Sequence, residues 1–123
     1  MGFPNRVSVG QRIVNEQPQK LTLLGSGWEG SYSLEDSLAA GALAAFIIEN
    51  NHHSVEVQND ELIAALALWH KWEDDVEGCL RTASHGKRLI GLGNHDADFK
   101  CCSTLDQLAV VPFQVQPGVL IAS

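Results

Sequence analysis

Positive charge is what this sequence has least of: 8 Lys+Arg stand against 15 Asp+Glu, for a formal net charge of −7 and an isoelectric point near 5.0. With no Lys/Arg cluster, a nucleic-acid backbone would be repelled rather than exchanged for its counterions, so nucleic acid is excluded as a partner. Long apolar runs are also missing. None reaches the roughly 20 residues that a membrane-spanning helix requires, and Met1 to Gln11 lacks the basic-then-apolar layout of a signal peptide, so no membrane partner and a cytoplasmic location are expected. Cysteine is scarce and odd in number, at Cys79, Cys101 and Cys102. Adjacent Cys101 and Cys102 cannot bridge without heavy strain, which reads as reduced thiols. With 45% hydrophobic and 19% charged residues, four prolines, and no low-complexity tract or linker, the chain lies outside the composition of disorder. Residues 1–123 read as a single domain long enough to bury a core.

What is present is a succession of apolar segments separated by turn residues. Asn5 to Asn15 suits a short helix capped by Asn5 about as well as a strand, and is read as the helix. After Pro18, Leu21 to Leu24 is a near-continuous apolar run ending at Gly25, and it reads as a buried strand. A loop with three glycines, Gly25 to Ser33, then leads to a Leu- and Ala-rich helix over Leu34 to Asn50. Ser33 is placed to cap that helix, and Glu35 and Asp36 lie in its first turn, where carboxylates complement the helix dipole. Strand, loop and helix make half of a βαβ unit. Asn50 to Asn59 is a short edge strand or a surface loop, with His52 and His53 on the surface. Asp60 to Thr82 has helical spacing through Leu62, Ala65, Leu66, Trp69, Trp72, Val76 and Leu80, with an acidic outer face at Glu73, Asp74, Asp75 and Glu77. Trp69 and Trp72 share its apolar face as core or subunit interface. Two further short helical stretches follow, from Ser84 and from Asp98. Val110-Val111 with Phe113, and Val119 to Ile121, read as strands joined by a tight turn at Pro117-Gly118.

Three groups of residues carry possible chemistry. The first is the glycine loop, Gly25, Gly27 and Gly30, running to Ser33. A glycine loop at a helix start points unsatisfied N–H groups at an anion and admits close approach. It is neither a GxGxxG fingerprint nor a Walker A loop. Carboxylates beside a phosphate site call for a divalent ion between them, so Glu29, Glu35 and Asp36 together point to Mg²⁺-phosphate chemistry. The plain alternative is that Glu35 and Asp36 complement the dipole and Glu29 is solvated. The second group is Ser84-His85-Gly86-Lys87-Arg88, a hydroxyl, an imidazole and two cations suited to the far end of a doubly charged substrate, or else a Ser84 cap followed by exposed basic residues. The third is His95, Asp96, Asp98, Cys101 and Cys102, which lacks the knuckle spacing of a zinc site and reads instead as containing a buried pair of thiols.

Gly25-Ser26-Gly27-Trp28-Glu29-Gly30-Ser31-Tyr32-Ser33-Leu34-Glu35-Asp36, continuing through Ala40-Gly41-Ala42, resembles the 2-phosphosulfolactate phosphatase family. The likeness runs on through Ala64 to Trp69, Ser84 to Leu89 with Leu92-Gly93, Asp98 to Cys101, and Asp106 before Val110-Val111-Pro112. It covers about a hundred residues and is similar to the C-terminal half of a family chain about twice as long. The resemblance implies a cytoplasmic, Mg²⁺-dependent phosphomonoesterase that removes phosphate from 2-phosphosulfolactate, a step toward coenzyme M in methanogens. It places Glu35 and Asp36 nearest the metal as catalytic and metal-holding residues, with Gly25, Gly27, Gly30 and Ser33 by the phosphate of a small anionic phosphoester. It makes Ser84, His85, Lys87 and Arg88 candidates for the anionic tail, with His85 also catalytic.

The expected fold is α/β, three layers with helices on both faces of a mainly parallel sheet, as the C-terminal half of a larger two-part fold. A second reading is a non-catalytic unit that binds a small anion and forms a homo-oligomer through the Trp69/Trp72 face.

Overall fold

A computed structural model describes all residues, Met1–Ser123. A 3-10 turn at Phe3–Asn5 leads into α1 (Arg6–Glu16), followed by α2 (Leu34–Asn50), α3 (Asp60–Trp72), α4 (Val76–Thr82), α5 (Ser84–Leu92) and α6 (Asp96–Ser103); the chain ends in β1 (Pro112–Gln116) and β2 (Val119–Ala122).

The body is built on α2. Its first turn is closed by Ser33, whose hydroxyl accepts the Asp36 N–H at 3.1 Å, and its Leu38, Ala42 and Ala45 form the centre of a core shared with Phe3, Trp69, Val76 and Cys79. Leu38 and Cys79 are fully buried. Small residues let α3 pack close: a Cβ added at Gly41 would lie 2.0 Å from the Ala65 carbonyl oxygen, a distance no side chain permits. On the other side α1 packs through Val14 against Leu43 and Ile47. Arg81 of α4 ties in α6 by donating to Asp96 at 2.7 Å and to Glu77 at 2.8 Å, with its guanidinium 4.5 Å above the Phe99 ring.

The helices expected over Asn5 to Asn15, Leu34 to Asn50 and from Ser84 are present, within a residue or two at their ends. Asn5 stands at the start of α1 but does not cap it. Its carboxamide oxygen accepts from Gly2 N–H at 2.8 Å, and its NH₂ donates to the Val110 carbonyl at 2.9 Å. The long helix expected over Asp60 to Thr82 is two helices, because Asp75 folds back to accept the Gly78 N–H at 2.9 Å and starts α4. Trp69 stacks on Phe3 with ring centroids 6.5 Å apart, and Trp72 packs against the same cluster. Trp69 is therefore core and is not part of an exposed subunit face.

The three-layer α/β architecture with a mainly parallel sheet is not what forms. Six helices are accompanied by a two-stranded antiparallel sheet alone. Leu21 to Leu24 forms no regular element and pairs with no strand. Leu23 leans on the Val14–Leu43–Ile47 cluster while Leu24 is 93% exposed. An apolar run becomes a strand only when a neighbour supplies the other half of its hydrogen-bond ladder, and here none does. The C-terminal turn at Pro117-Gly118 is as expected, with Gly118 at φ 76°. Phe113 faces Ile121 and Gln114 faces Leu120 across it. The ladder continues to Val111 and Ser123, which exchange two backbone bonds of 3.0 and 3.2 Å. Val110 lies outside the strand, held by Asn5 instead. Asn51 to Asn59 carries no strand, and His52 and His53 are exposed there.

Candidate functional site: a serine-lined glycine cleft

The Gly25 to Ser33 loop folds over the start of α2 and is held there by Asp36. One carboxylate oxygen of Asp36, Oδ2, accepts the Gly27 N–H at 2.7 Å and lies 3.5 Å from the Ser26 hydroxyl. Gly25 eases this approach, since a Cβ there would stand 3.0 Å from the Asp36 Cβ and the two would have to give by a few tenths of an ångström. At the loop's tip Trp28 and Ser31 exchange backbone bonds of 3.1 and 2.8 Å around Glu29 and Gly30, which have φ of 50° and 77°. Two consecutive left-handed residues are the signature of a tight hairpin turn, and Trp28 just before it does not line the loop's concave side.

That concave side is a cleft of roughly 390 Å³. Gly25, Gly27, Gly30, Ser33 and Asp36 all line it, together with Ser26, Ser31, Tyr32 and Ser37. Hydroxyl-bearing residues around an N-terminal helix turn provide neutral donors for a phosphate-sized anion.

Trp28 connects this cleft to α5. Its indole lies 5.0 Å from the His85 ring, tilted by 39°, and the Arg88 guanidinium is 5.6 Å from its ring centroid. The glycine loop and the Ser84 to Arg88 segment, read from the sequence as separate candidates, are thus neighbours. Sequence reasoning assigned Trp28 no role; the signal was a large aromatic set between glycines in an otherwise polar loop. Ser84 opens α5 but does not cap it, and Ser84, Lys87 and Arg88 do not line the cleft.

Glu35 and His85 face elsewhere. They line a second, smaller pocket of roughly 160 Å³ with Leu80, Leu89, Phe99, Asp98 and Cys102. His85 Nδ1 is buried and has no hydrogen-bond partner. Burial first, then Cys101 and Asp98, pushes the Cys102 thiol up, and burial followed by the Glu35 and Asp75 carboxylates does the same to Cys79. Neither is a poised thiolate nucleophile. Cys101 and Cys102 are exposed rather than a buried pair. In the His95 cluster, His95 pairs with Asp98 at 2.8 Å and Asp96 with Arg81.

The sequence also matches the 2-phosphosulpholactate phosphatase family over residues 1–117. The chain belongs to that family. Similar proteins include the probable 2-phosphosulfolactate phosphatase of Prochlorococcus marinus strain MIT 9313, 59% identical over 123 residues, which are 100% of this chain and 51% of the relative. That of Parasynechococcus marenigrum strain WH8102 is 61% identical over 120 residues, 98% of this chain and 49% of the relative. That of Gloeothece citriformis strain PCC 7424 is 47% identical over 117 residues, 95% of this chain and 48% of the relative. The chain thus spans about half the length of the 2-phosphosulfolactate phosphatase relatives it matches.

For the divalent ion expected from the sequence, the donor set in the chain fits in part. No three His, Cys, Asp or Glu side chains converge as a metal-binding group. Glu35 and Asp36, adjacent on α2, border different pockets and do not share an ion. Asp36 fits by itself: Mg²⁺ is held through one or two carboxylates with phosphate and water completing its shell, and Asp36 Oδ1 is free of the hydrogen bonds that occupy Oδ2.

Proposed function

We propose that this chain supplies the phosphate-holding part of a 2-phosphosulfolactate phosphatase, hydrolysing phosphosulfolactate to sulfolactate and phosphate with Mg²⁺. The observation that carries this reading is the serine-lined glycine cleft closed by Asp36 at the start of α2. In it the phosphate sits against the hydroxyls of Ser26, Ser31 and Ser37 and the N-terminal turn of α2, donors aimed where charge builds on phosphorus-bound oxygen during hydrolysis. Asp36 is anionic and would repel the phosphate on its own. Mg²⁺ held by Asp36 would neutralise that charge and polarise the phosphoryl oxygen. Arg88, stacked on Trp28 of the same loop but outside the cleft lining, would reach the sulfonate or carboxylate of the substrate's tail. Glu35 and His85 lie outside this assignment because they line the other pocket.

The test is phosphate release from 2-phosphosulfolactate and a panel of phosphomonoesters by the 123-residue chain, with and without Mg²⁺. Mg²⁺-dependent turnover that Asp36→Asn abolishes is the expected result. No turnover from folded chain, together with no Mg²⁺ or phosphate binding by calorimetry, overturns the assignment. Phosphate binding without turnover would support the second reading, a non-catalytic anion-binding unit.

A further inference from the structure

The chain exposes more surface than its mass allows for. Its accessible area is 8259 Å² at 13.3 kDa. A compact monomer of that mass exposes about 6,450 Å², leaving an excess of about 1,800 Å². Much of the apolar exposure is at the C-terminal end. Every residue of β1 and β2 is exposed, on both faces of the ribbon, with Phe113 opposite Ile121 on one face and Leu120 on the other.

Two features distinguish this ribbon from an ordinary edge. A two-stranded hairpin is marginally stable in water unless further strands or a helix cover it. Free edges are normally protected by charged side chains, yet Gln107 to Ser123 contains no Asp, Glu, Lys or Arg. β2, Val119–Ala122, is also free of proline, so its outer edge keeps its N–H donors for another strand.

We propose that the β1–β2 hairpin is a joining surface for the further half-length that the family's chains carry, which adds an extended segment to the outer edge of β2 and covers Phe113 and Leu120. Two observations select that occupant. The curated relatives have as much chain again beyond the span matched here. Seven large apolar residues from Leu108 to Ile121 are exposed together, which is the apolar character of obligate interfaces, resembling a domain core cut in half, rather than of a transient contact. This inference rests on the family match and the hairpin, and not on the proposed phosphatase activity.

The experiment co-expresses the 123-residue chain with the unmatched part of the Prochlorococcus marinus MIT 9313 relative as a separate, tagged polypeptide, and reads co-purification, stoichiometry and hydrogen exchange. A one-to-one complex is expected, with exchange at Val119 to Ala122 slowed at least tenfold over the chain alone. Leu120→Lys, at a residue 67% exposed, should abolish capture while leaving the helical circular dichroism unchanged. If the partner polypeptide is insoluble by itself, joining it to this chain through a flexible linker provides the same exchange readout. Unchanged exchange in the joined or co-purified protein overturns the proposal. So does protection of the hairpin in a dimer of this chain alone, which would identify a second copy as the occupant.

Discussion

The α2–α3 body and the C-terminal hairpin are both rich in Leu, Val, Ile and Phe, yet one buries them and the other leaves them in water. Leu38 is fully buried among residues of α3, α4 and the N-terminal turn; Leu120 is 67% exposed. The difference is where the partners come from. An α-helix satisfies its own backbone and needs a neighbour only for its apolar stripe, which α3 provides ten residues downstream. A two-stranded ribbon has two outer edges and two faces to cover, and the helices of this chain cover neither. Apolar character therefore marks a surface to be buried without saying by what.

The largest effect that would break this comparison is in the body's core. Leu38→Ala should lower unfolding free energy by about 3–5 kcal/mol, while Leu120→Ala should stay within about 0.5 kcal/mol, both read by urea denaturation. Equal losses would mean that the hairpin is packed in solution by this chain alone. A second contrast lies within one helix. A Cβ at Gly86 would meet the Leu80 carbonyl oxygen at 1.9 Å, whereas one at Gly91 meets nothing within 4 Å. Gly86→Ala should cost about 1–3 kcal/mol and Gly91→Ala should gain about 0.5–1 kcal/mol, so opposite shifts in melting temperature are expected.

Smaller effects probe the loop against the body. Trp28→Ala removes the contacts with His85 and Arg88 and should cost less than about 1 kcal/mol in global stability. It should make the Gly25 to Ser33 loop markedly more sensitive to protease, with helical content unchanged; equal protease resistance would show that Asp36 alone holds the loop. The smallest effect is at alkaline pH. Burial, followed by the Glu35 and Asp75 carboxylates, raises the Cys79 thiol above its ordinary value, so the fold favours the neutral form. That contribution is fully present below the pKa of the unfolded thiol, about 8.5, and is lost as pH rises through the higher folded value. The urea midpoint should fall across that window, and Cys79→Ala should fall less steeply.

Much of the helical framework was legible in the residues. Ser33 capping α2 is a local event, decided within four residues, and its hydroxyl does what its position implies; at α3 it is Asn59 whose carboxamide oxygen accepts the Leu62 N–H at 3.1 Å. The break in the Asp60 to Thr82 pattern was not, because its apolar spacing continues across Asp75 while the Asp75 side chain takes the Gly78 N–H. The candidate site was legible in its parts: Gly25, Gly27, Gly30 and Ser33, expected by the phosphate, and Asp36, expected by the metal, line one cleft. Its assembly was not. Glu35 and Asp36 look like a pair in sequence, but adjacent residues on a helix point about 100° apart, and the packing of α5 and α6 gives Glu35 a pocket of its own.

By itself the sequence determined the charge, most of the helical segments, the Ser33 cap and glycine loop of α2 and the tight turn at Pro117-Gly118. Each depends on interactions within a few residues or on composition. Only the tertiary structure decided that Trp28 meets His85 and Arg88 across more than fifty residues, that Trp69 belongs to the core, and that Leu21 to Leu24 has no strand beside it. These outcomes depend on which distant segments close the same space, and neither periodicity nor spacing carries that information.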